Sequence, residues 1–212
     1  MADGGRVARE TLALVDWKRR VFELYASVRS SADPEAAWRS WRSARDELFG
    51  SHPQSPLPAE ARSRFHGLGY FPYDPALRVL AEVVPAEEAP LSITGSAGSR
   101  TRFGRFALAR FELAGEVRSL ELYWLEAYGG GVFLPFADDT SGHKTYGPGR
   151  YLLDTVKGSG LGMEGDRLVL DFNFAYNPSC SYDPRWACPL TPAPNRLAVE
   201  LRAGELAPAR RW

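Results

Sequence analysis

The 212-residue sequence has few of the side chains that hold metal ions, with only two cysteines and three histidines. Cys180 and Cys188 are separated by seven residues, a longer spacing than zinc knuckles use. Two thiolates also fill only half of a tetrahedral zinc shell. No two histidines have the spacing of a metal-binding pair. These shortages disfavour a metal centre, although a metal site that uses Cys180 and Cys188 stays open as an alternative.

The sequence also lacks net charge, because 26 basic and 26 acidic residues cancel. A neutral chain has no long-range attraction for nucleic acid or for an anionic membrane, and neither is predicted as a partner. There is no apolar run of about 18 residues, and no apolar signal core follows Met1. We therefore predict a cytoplasmic protein, whose reducing surroundings keep both cysteines as free thiols. The sequence indicates neither a cofactor nor an oligomeric state.

What the chain does contain is typical of a globular protein, with 44% hydrophobic and 25% charged residues. From about residue 6 to residue 28, apolar residues recur every three or four positions, which predicts an amphipathic helix. Its apolar stripe consists of Leu14, Trp17, Val21, Leu24 and Val28. Asp33 and Pro34 then predict the capped start of a second helix, which ends at Gly50. A third, short helix is predicted over residues 59–65.

Beyond residue 70 the period of the hydrophobic pattern changes to two, which indicates β-strands. The predicted strands cover residues 77–83, 106–113, 120–124, 132–136, 150–153, 167–174 and 196–202. In the second strand the apolar parity changes between Leu108 and Phe111, so we predict a β-bulge near Ala109 and Arg110. Links of hairpin length favour mostly antiparallel pairing.

Together these elements predict an α+β fold. We expect an N-terminal helical hairpin and a short helix, packed on a mostly antiparallel twisted sheet or a partly closed β-barrel. The helical segment covers about residues 6–66, and the β-rich segment covers about residues 70–205. Because the apolar stripes of the helices need a surface to cover them, we expect residues 1–212 to form a single domain.

Residues 175–194 give the strongest indication of a functional site. This stretch contains five prolines, both cysteines and several aromatic residues, so it cannot be a helix or a central strand. Long connections without regular structure are uncommon in compact domains, and many of them are functional. We expect an ordered loop that folds back over the sheet and offers Tyr176, Asn177 and Cys180 to a ligand.

Polar residues just before this loop suggest a pocket. In a strand, Asp171 and Asn173 lie on the same face, and that face either is exposed to solvent or lines a polar cavity. Arg150 stands at the start of an earlier predicted strand and can form a salt bridge with Asp171. If these groups are buried, they require partners.

The glycine-rich segment 136–151 is the second candidate. Asp138 or Asp139 can act there as a general base or a metal ligand, while Tyr146 helps Arg150 to orient an acidic group of a ligand. The alternative is a hairpin loop whose polar side chains bond to their own backbone. His52 follows the second helix, where it either reaches a pocket or is solvated. No nucleophile elbow and no dinucleotide-binding loop is present to identify a reaction.

Several short sequence motifs are similar to those of one protein family. The chain resembles the bacterial and archaeal family known as domain of unknown function 1684, and the resemblance implies no activity, cofactor or fold. The matching motifs are residues 52–57, 70–75, 133–136, 139–142, 145–147, 149–151 and 171–180, and the last of them continues through 186–189 to Asn195.

We predict a β-rich protein that binds a small molecule. In a catalytic version it performs hydrolytic or acid-base chemistry on a polar or anionic substrate, with Asp139 or Asp171 as the base and His52 as a proton shuttle. The predicted ligand-binding residues are Arg150, Tyr146, Asn173, Tyr176, Asn177 and Cys180. One alternative is a noncatalytic binding or scaffold protein, in which the polar motifs have a structural role. The two hypotheses differ in what they predict for the structure. If the protein has a ligand pocket, Asp171 and Arg150 should both face one cavity. If it is a scaffold, every polar side-chain atom should be hydrogen-bonded to the backbone.

Overall fold

A computed structural model describes residues 2–98, 100–126 and 128–208. Two long helices come first, α1 (Ala2–Ser30) and α2 (Pro34–Ser51). The Asp33 side chain accepts a hydrogen bond from the backbone N–H of Ala36 at 2.9 Å, which satisfies one free donor at the start of α2. The predicted helical hairpin and its cap are therefore confirmed. The third helix is a 3-10 helix, Ala59–Arg64.

In the described residues, the apolar stripe of α1 is covered from Trp17 onward. Tyr25 is buried, and Val21, Leu24 and Val28 pack around it, whereas Leu14 is 44% exposed. The prediction that Leu14 belongs to the buried stripe is wrong, because the first turns of α1 extend past the surface that covers the later ones. None of the helices in the described part of the chain combines the length and the apolar character that crossing a membrane requires.

The β-rich segment forms one sheet of seven strands, in the order β5-β4-β3-β2-β1-β7-β6. Every pair of neighbouring strands is antiparallel. The strands are β1 (Arg78–Thr94), β2 (Arg100–Leu113), β3 (Glu116–Leu125), β4 (Val132–Phe136), β5 (Arg150–Asp154), β6 (Met163–Glu164) and β7 (Arg167–Asp171). The α+β class is confirmed. The barrel alternative is wrong for the described residues, since β5 and β6 stand at opposite edges of an open sheet.

The β-bulge of β2 lies closer to the start of the strand than predicted. The register between β2 and β3 shifts between Arg105 and Ala107, not near Ala109 and Arg110. Ala107 and Ala109 are buried on the same face as Phe111. The two alanines and Phe111 therefore lie on the face of β2 that packs in the core, and Leu108 lies on the opposite face.

Two predicted strands differ from the structure: one ends earlier than predicted, and the other does not form. β7 stops at Asp171, whose carboxylate caps a 3-10 turn, Phe172–Phe174. Residues 196–202 form no strand, although Leu197 and Leu201 are buried as the alternation requires. This stretch bends at residues 198 and 199, and its backbone bonds to the 137–139 segment in an irregular way, as when Leu197 N–H donates to the Ala137 carbonyl at 2.8 Å.

The helical hairpin is anchored on the segment that follows β7. The Trp41 ring makes an edge contact with Phe174, with ring centroids 5.2 Å apart. The indole N–H of Trp38 donates to the backbone carbonyl of Asn173 at 3.0 Å. The main core lies against the sheet and includes Phe111 and Phe172. The predicted loop therefore begins between the helices and the sheet, where residues distant in sequence meet.

Candidate functional site

Arg150 and Asp138 form a buried pair that belongs to the core. Their guanidinium and carboxylate atoms are 3.4 Å apart. Arg150 also donates to the backbone carbonyls of Leu201 and Ala203. The predicted salt bridge between Arg150 and Asp171 is replaced by this pair. Backbone and carboxylate partners surround the Arg150 guanidinium, as the scaffold alternative requires for this residue.

Asp171 and Asn173 do come together, through a turn instead of a strand face. One carboxylate oxygen of Asp171 accepts the backbone N–H of Asn173 at 2.9 Å and its side-chain amide at 2.8 Å. The other oxygen accepts the Tyr73 hydroxyl at 3.3 Å. Burial raises the pKa of Asp171 to about 6. Asp171 also lines a cavity of about 110 Å³ that Arg29 and Arg78 share.

The other two predicted catalytic residues lie elsewhere. Asp139 is exposed, and its nearest ionic partner is Arg196 at 3.9 Å. His52 is buried with its Nε2 atom 3.2 Å from the Asp16 carboxylate, and its Nδ1 atom accepts the backbone N–H of Gln54 at 3.0 Å. Within the described residues, neither a hydrogen bond nor a cavity joins Asp171, Asp139 and His52.

Two predicted ligand-binding residues, Tyr176 and Asn177, line a cavity between the helical hairpin and the loops, which we call the helix–loop cavity. It encloses about 70 Å³. Its walls come from α1, from α2 and from three later segments that meet there because the 175–194 loop folds back. The lining residues are Trp17, Val21, Tyr25, Arg45, Phe49, Pro56, Tyr151, Lys157, Ser159, Tyr176, Asn177, Pro178 and Ser179.

Two residues in the wall of the helix–loop cavity bury a polar side-chain group. The side-chain oxygen of Asn177 has no hydrogen-bond partner in the described part of the chain, and the Tyr25 hydroxyl lies near Trp41 and Ser159 without a hydrogen bond of regular geometry. Asn177 is otherwise fixed, since its amide group donates to the Leu206 carbonyl at 2.7 Å and its backbone N–H donates to Glu205 at 3.0 Å. Burial raises the pKa of Tyr25 to about 12, so its hydroxyl stays protonated at neutral pH.

Both cations of the helix–loop cavity have an anionic partner within the chain. Arg45 donates to the Glu205 carboxylate at 2.8 Å, and its guanidinium stacks on the Tyr176 ring at 5.2 Å. Burial raises the pKa of Glu205 to about 7. Lys157 pairs with Asp154 at 2.8 Å and is about half exposed. The cavity thus offers polar atoms and aromatic faces without a large net charge.

Tyr146 and Cys180, the remaining predicted ligand-binding pair, lie next to Cys188. The Tyr146 hydroxyl is 3.8 Å from the sulfur of Cys180, whose backbone N–H donates to the sulfur of Cys188 at 3.4 Å. Both cysteines are free thiols. In the described residues no group of three or more His, Cys, Asp or Glu side chains is arranged to hold a metal ion.

Comparison with protein families agrees with the resemblance of the sequence motifs. A family model described as "Protein of unknown function (DUF1684)" matches residues 63–206. The chain belongs to the DUF1684 family. The matched DUF1684 segment supplies Tyr151, Tyr176 and Asn177 to the helix–loop cavity, whereas Tyr25 and Arg45 come from helices that precede it.

A solved structure is similar to this DUF1684 protein over most of its length. It is the solution NMR structure of an uncharacterized protein from Haloarcula marismortui, with 34% sequence identity and a TM-score of 0.60. The similarity covers 84% of this chain and 96% of that one. No curated protein matches the chain. The comparisons establish the family and add no activity.

The site residues that the sequence did not reveal are those on the helices and at the chain end. Tyr25 lies next to Leu24 in the apolar stripe, so its sequence context is that of a core aromatic residue. Arg45 lies in α2, one turn after the buried Trp41, and a cation beside a buried face was a signal that could have found it. Glu205 carries no local signal, because its partners are distant in sequence.

Proposed function

We propose that this DUF1684 protein binds a small polar molecule in the helix–loop cavity. The observation that carries the proposal is that two residues of one cavity wall, Tyr25 from α1 and Asn177 from the loop, bury polar side-chain groups that lack a hydrogen bond of regular geometry in the described residues. A buried polar group without a partner costs about 1–3 kcal/mol, so a ligand that bonds to both recovers this cost.

The wall of the cavity limits the chemistry of the ligand. The Asn177 oxygen accepts only, so the ligand must present an N–H or O–H donor to it. The Tyr25 hydroxyl can donate or accept. Aromatic faces of Trp17, Tyr151 and Tyr176 favour a flat group, and the enclosed 70 Å³ admits only a few non-hydrogen atoms. A primary amide or a similar planar N–H group fits these requirements, with any acidic part of the molecule at the mouth beside Lys157.

The proposal is tested by NMR titration of the isotope-labelled protein with a panel of small amides, amino acids and carboxylates. A binder should shift the backbone signals of Tyr25, Tyr176 and Asn177 together. The Tyr25→Phe variant should bind it about 5- to 10-fold more weakly, which corresponds to the loss of one hydrogen bond of about 1 kcal/mol. Its stability should change by less than about 1 kcal/mol, since the lost hydroxyl makes no hydrogen bond of regular geometry with its neighbours Trp41 and Ser159.

Tyr73→Phe is the matched control, because the Tyr73 hydroxyl bonds to Asp171 away from the helix–loop cavity. This variant should keep the wild-type affinity. Native mass spectrometry of the freshly purified protein extends the test to ligands outside the panel. Signals that shift only outside the cavity, or equal affinity of the wild type and Tyr25→Phe, would contradict the proposal.

A second candidate function is acid-base catalysis at the Asp171 cavity. A buried carboxyl with a raised pKa, in a cavity that Arg29 and Arg78 also line, is the kind of group that exchanges protons with a bound anion. Arg29 and Arg78, in place of Arg150, would hold the anion there. Turnover of small esters, phosphates or amides by the wild type and not by Asp171→Asn is the expected result. Equal turnover by both proteins would remove this candidate.

A further inference from the structure

The two thiols outside the helix–loop cavity occupy unequal positions. Cys188 is buried, and it is fixed to the β1–β2 hairpin because its backbone N–H donates to the Ser96 hydroxyl at 3.2 Å. The backbone N–H of Ser96 donates in turn to the Cys188 carbonyl at 3.0 Å. Cys180 is partly exposed and lies in a short 3-10 turn, Ser179–Ser181. One thiol is therefore open to a reagent, and the other is held behind it.

The two side chains are close enough to react with each other. The backbone N–H of Cys180 donates to the Cys188 sulfur at 3.4 Å, and the Tyr146 hydroxyl lies 3.8 Å from the Cys180 sulfur. A disulfide needs Cβ atoms about 3.5–4.5 Å apart, a separation that the backbone sets, after which rotation about χ1 brings the two sulfurs together. The bond would close a short loop, from residue 180 to residue 188.

We propose that Cys180 and Cys188 form a dithiol that reacts with hydroperoxides, in which Cys180 attacks the peroxide and Cys188 closes the disulfide. A partly exposed thiol next to a buried second thiol is typical of cysteine pairs that react with peroxides, and the Tyr146 hydroxyl contacts the exposed one. The inference does not depend on the proposed ligand of the helix–loop cavity.

The reaction proceeds in two balanced steps. In the first, the Cys180 thiolate attacks one peroxide oxygen, an S–O bond forms and the O–O bond breaks. Cys180 is oxidised to a sulfenic acid, and the peroxide is reduced to water or an alcohol after the leaving oxygen takes a proton from solvent. In the second step the Cys188 sulfur attacks the Cys180 sulfur, the S–S bond forms, and the sulfenic oxygen leaves as water with the Cys188 proton. A small-molecule dithiol reverses the change.

The electrostatics of the pair support this division of roles. The hydrogen bond from the Cys188 thiol is the main cause that lowers the pKa of Cys180 to about 6. The same bond raises the pKa of Cys188, which burial raises further. Cys180 is thus the sulfur that loses its proton more readily, and Cys188 is the sulfur that retains it.

The test is treatment of the reduced full-length protein with hydrogen peroxide, followed by intact mass measurement and peptide mapping. The wild type should lose two hydrogen atoms, with Cys180 and Cys188 linked in one peptide pair, and dithiothreitol should restore the mass. Cys188→Ala should instead gain one oxygen at Cys180, which a sulfenic-acid reagent traps. Cys180→Ala should leave Cys188 unmodified.

Circular dichroism of each variant checks that it is folded, and the wild-type mapping does not depend on the variants. If the wild type keeps both thiols under peroxide that oxidises a free cysteine peptide, the inference fails. It also fails if each thiol gains oxygen independently and no linked peptide forms.

Discussion

The guanidinium of Arg150 and the carboxylate of Asp138 lie 3.4 Å apart, with the two side chains 1% and 0% exposed. The same carboxylate accepts the backbone N–H of Leu201 at 2.7 Å and the Thr140 hydroxyl at 2.7 Å. This pair therefore joins the start of β5 to the turn after β4 and to the C-terminal segment. Charges buried in this way are tolerated because each has its partner and further hydrogen bonds.

Removal of one partner should strongly destabilise the fold. Arg150→Met leaves the Asp138 charge buried without its cation, which we expect to lower the free energy of unfolding by about 3–5 kcal/mol. Urea denaturation followed by circular dichroism measures the change. Arg196→Met is the control, because Arg196 and Asp139 are both about half exposed and 3.9 Å apart, and it should cost less than about 1 kcal/mol. Similar decreases in the free energy of unfolding of the two variants would show that the buried pair stabilises the fold no more than the exposed pair does.

The partner of Arg150 illustrates what the sequence can and cannot predict. The helices and most strands follow from periodicity, which is a local property of the chain. The choice between Asp138 and Asp139 is not local, since neighbours in an extended segment point to opposite sides and only the packed structure decides which side is the core. The buried carboxylate is Asp138, whereas the exposed one is Asp139.

The 196–202 segment shows a different limit. Its alternation of apolar residues correctly indicates which side chains are buried, as at Leu197 and Leu201, but the segment bends at residues 198 and 199 and forms no strand. Periodicity does not say which groups take the backbone hydrogen bonds, and here a carboxylate and a loop take them. For the same reason the helix–loop cavity could be predicted only from its loop side. Tyr176 and Asn177 lie in the loop, whereas the contribution of Tyr25 depends on how the hairpin packs.

The stability of the protein should fall as Asp171 ionises. Burial raises the pKa of Asp171 from 3.8 to about 6, so the folded state binds more protons than the unfolded state between these values. Stability from this residue is fully present below about pH 4 and is lost as the pH rises through 6. A difference of two pKa units corresponds to about 3 kcal/mol. Asp171→Asn mimics the protonated acid, so its stability relative to the wild type should increase over this range.

Urea denaturation of both proteins at several pH values measures this difference, and carbon NMR of the Asp171 carboxyl measures the pKa directly. Tyr73→Phe should move the midpoint to higher pH, because the Tyr73 hydroxyl donates to the carboxylate and favours its charged form. A stability difference between the wild type and Asp171→Asn that does not change with pH would refute the prediction.

Alkylation should distinguish the two cysteines. The hydrogen bond from Cys188 lowers the pKa of Cys180 to about 6, compared with about 8.5 for a free cysteine, so the rate of its reaction with iodoacetamide should rise with a midpoint near pH 6. Cys188 should react far more slowly, because it is buried and its pKa is raised. Peptide mapping of the reduced protein after timed alkylation gives both rates. Cys188→Ala should move the Cys180 midpoint upward, and a wild-type midpoint above pH 8 would contradict the assignment.

Asn195 should be as important to the sheet as a strand residue, although it lies in a 3-10 turn. Its side-chain oxygen accepts the backbone N–H of Glu121 at 2.8 Å, and its amide donates to the carbonyls of Glu121 and Pro135 at 3.0 and 2.8 Å. One side chain thereby satisfies backbone groups of β3 and β4 that would otherwise be buried without partners. Asn195→Ala should lower the free energy of unfolding by about 2–4 kcal/mol, since an unsatisfied buried group costs about 1–3 kcal/mol.

Asn195→Asp provides the sharper comparison. The aspartate keeps the acceptor for Glu121 N–H, but it replaces the amide donor with a charge that faces two carbonyl oxygens. We therefore expect this variant to lose at least as much stability as Asn195→Ala at pH 7 and to recover part of it at pH 4, where a protonated carboxyl can donate to one carbonyl. Ser119→Ala, at an exposed position of β3, is the control and should stay within about 0.5 kcal/mol. If Asn195→Asp unfolds at the same urea concentration as the wild type at pH 7, the side-chain amide does not support the sheet.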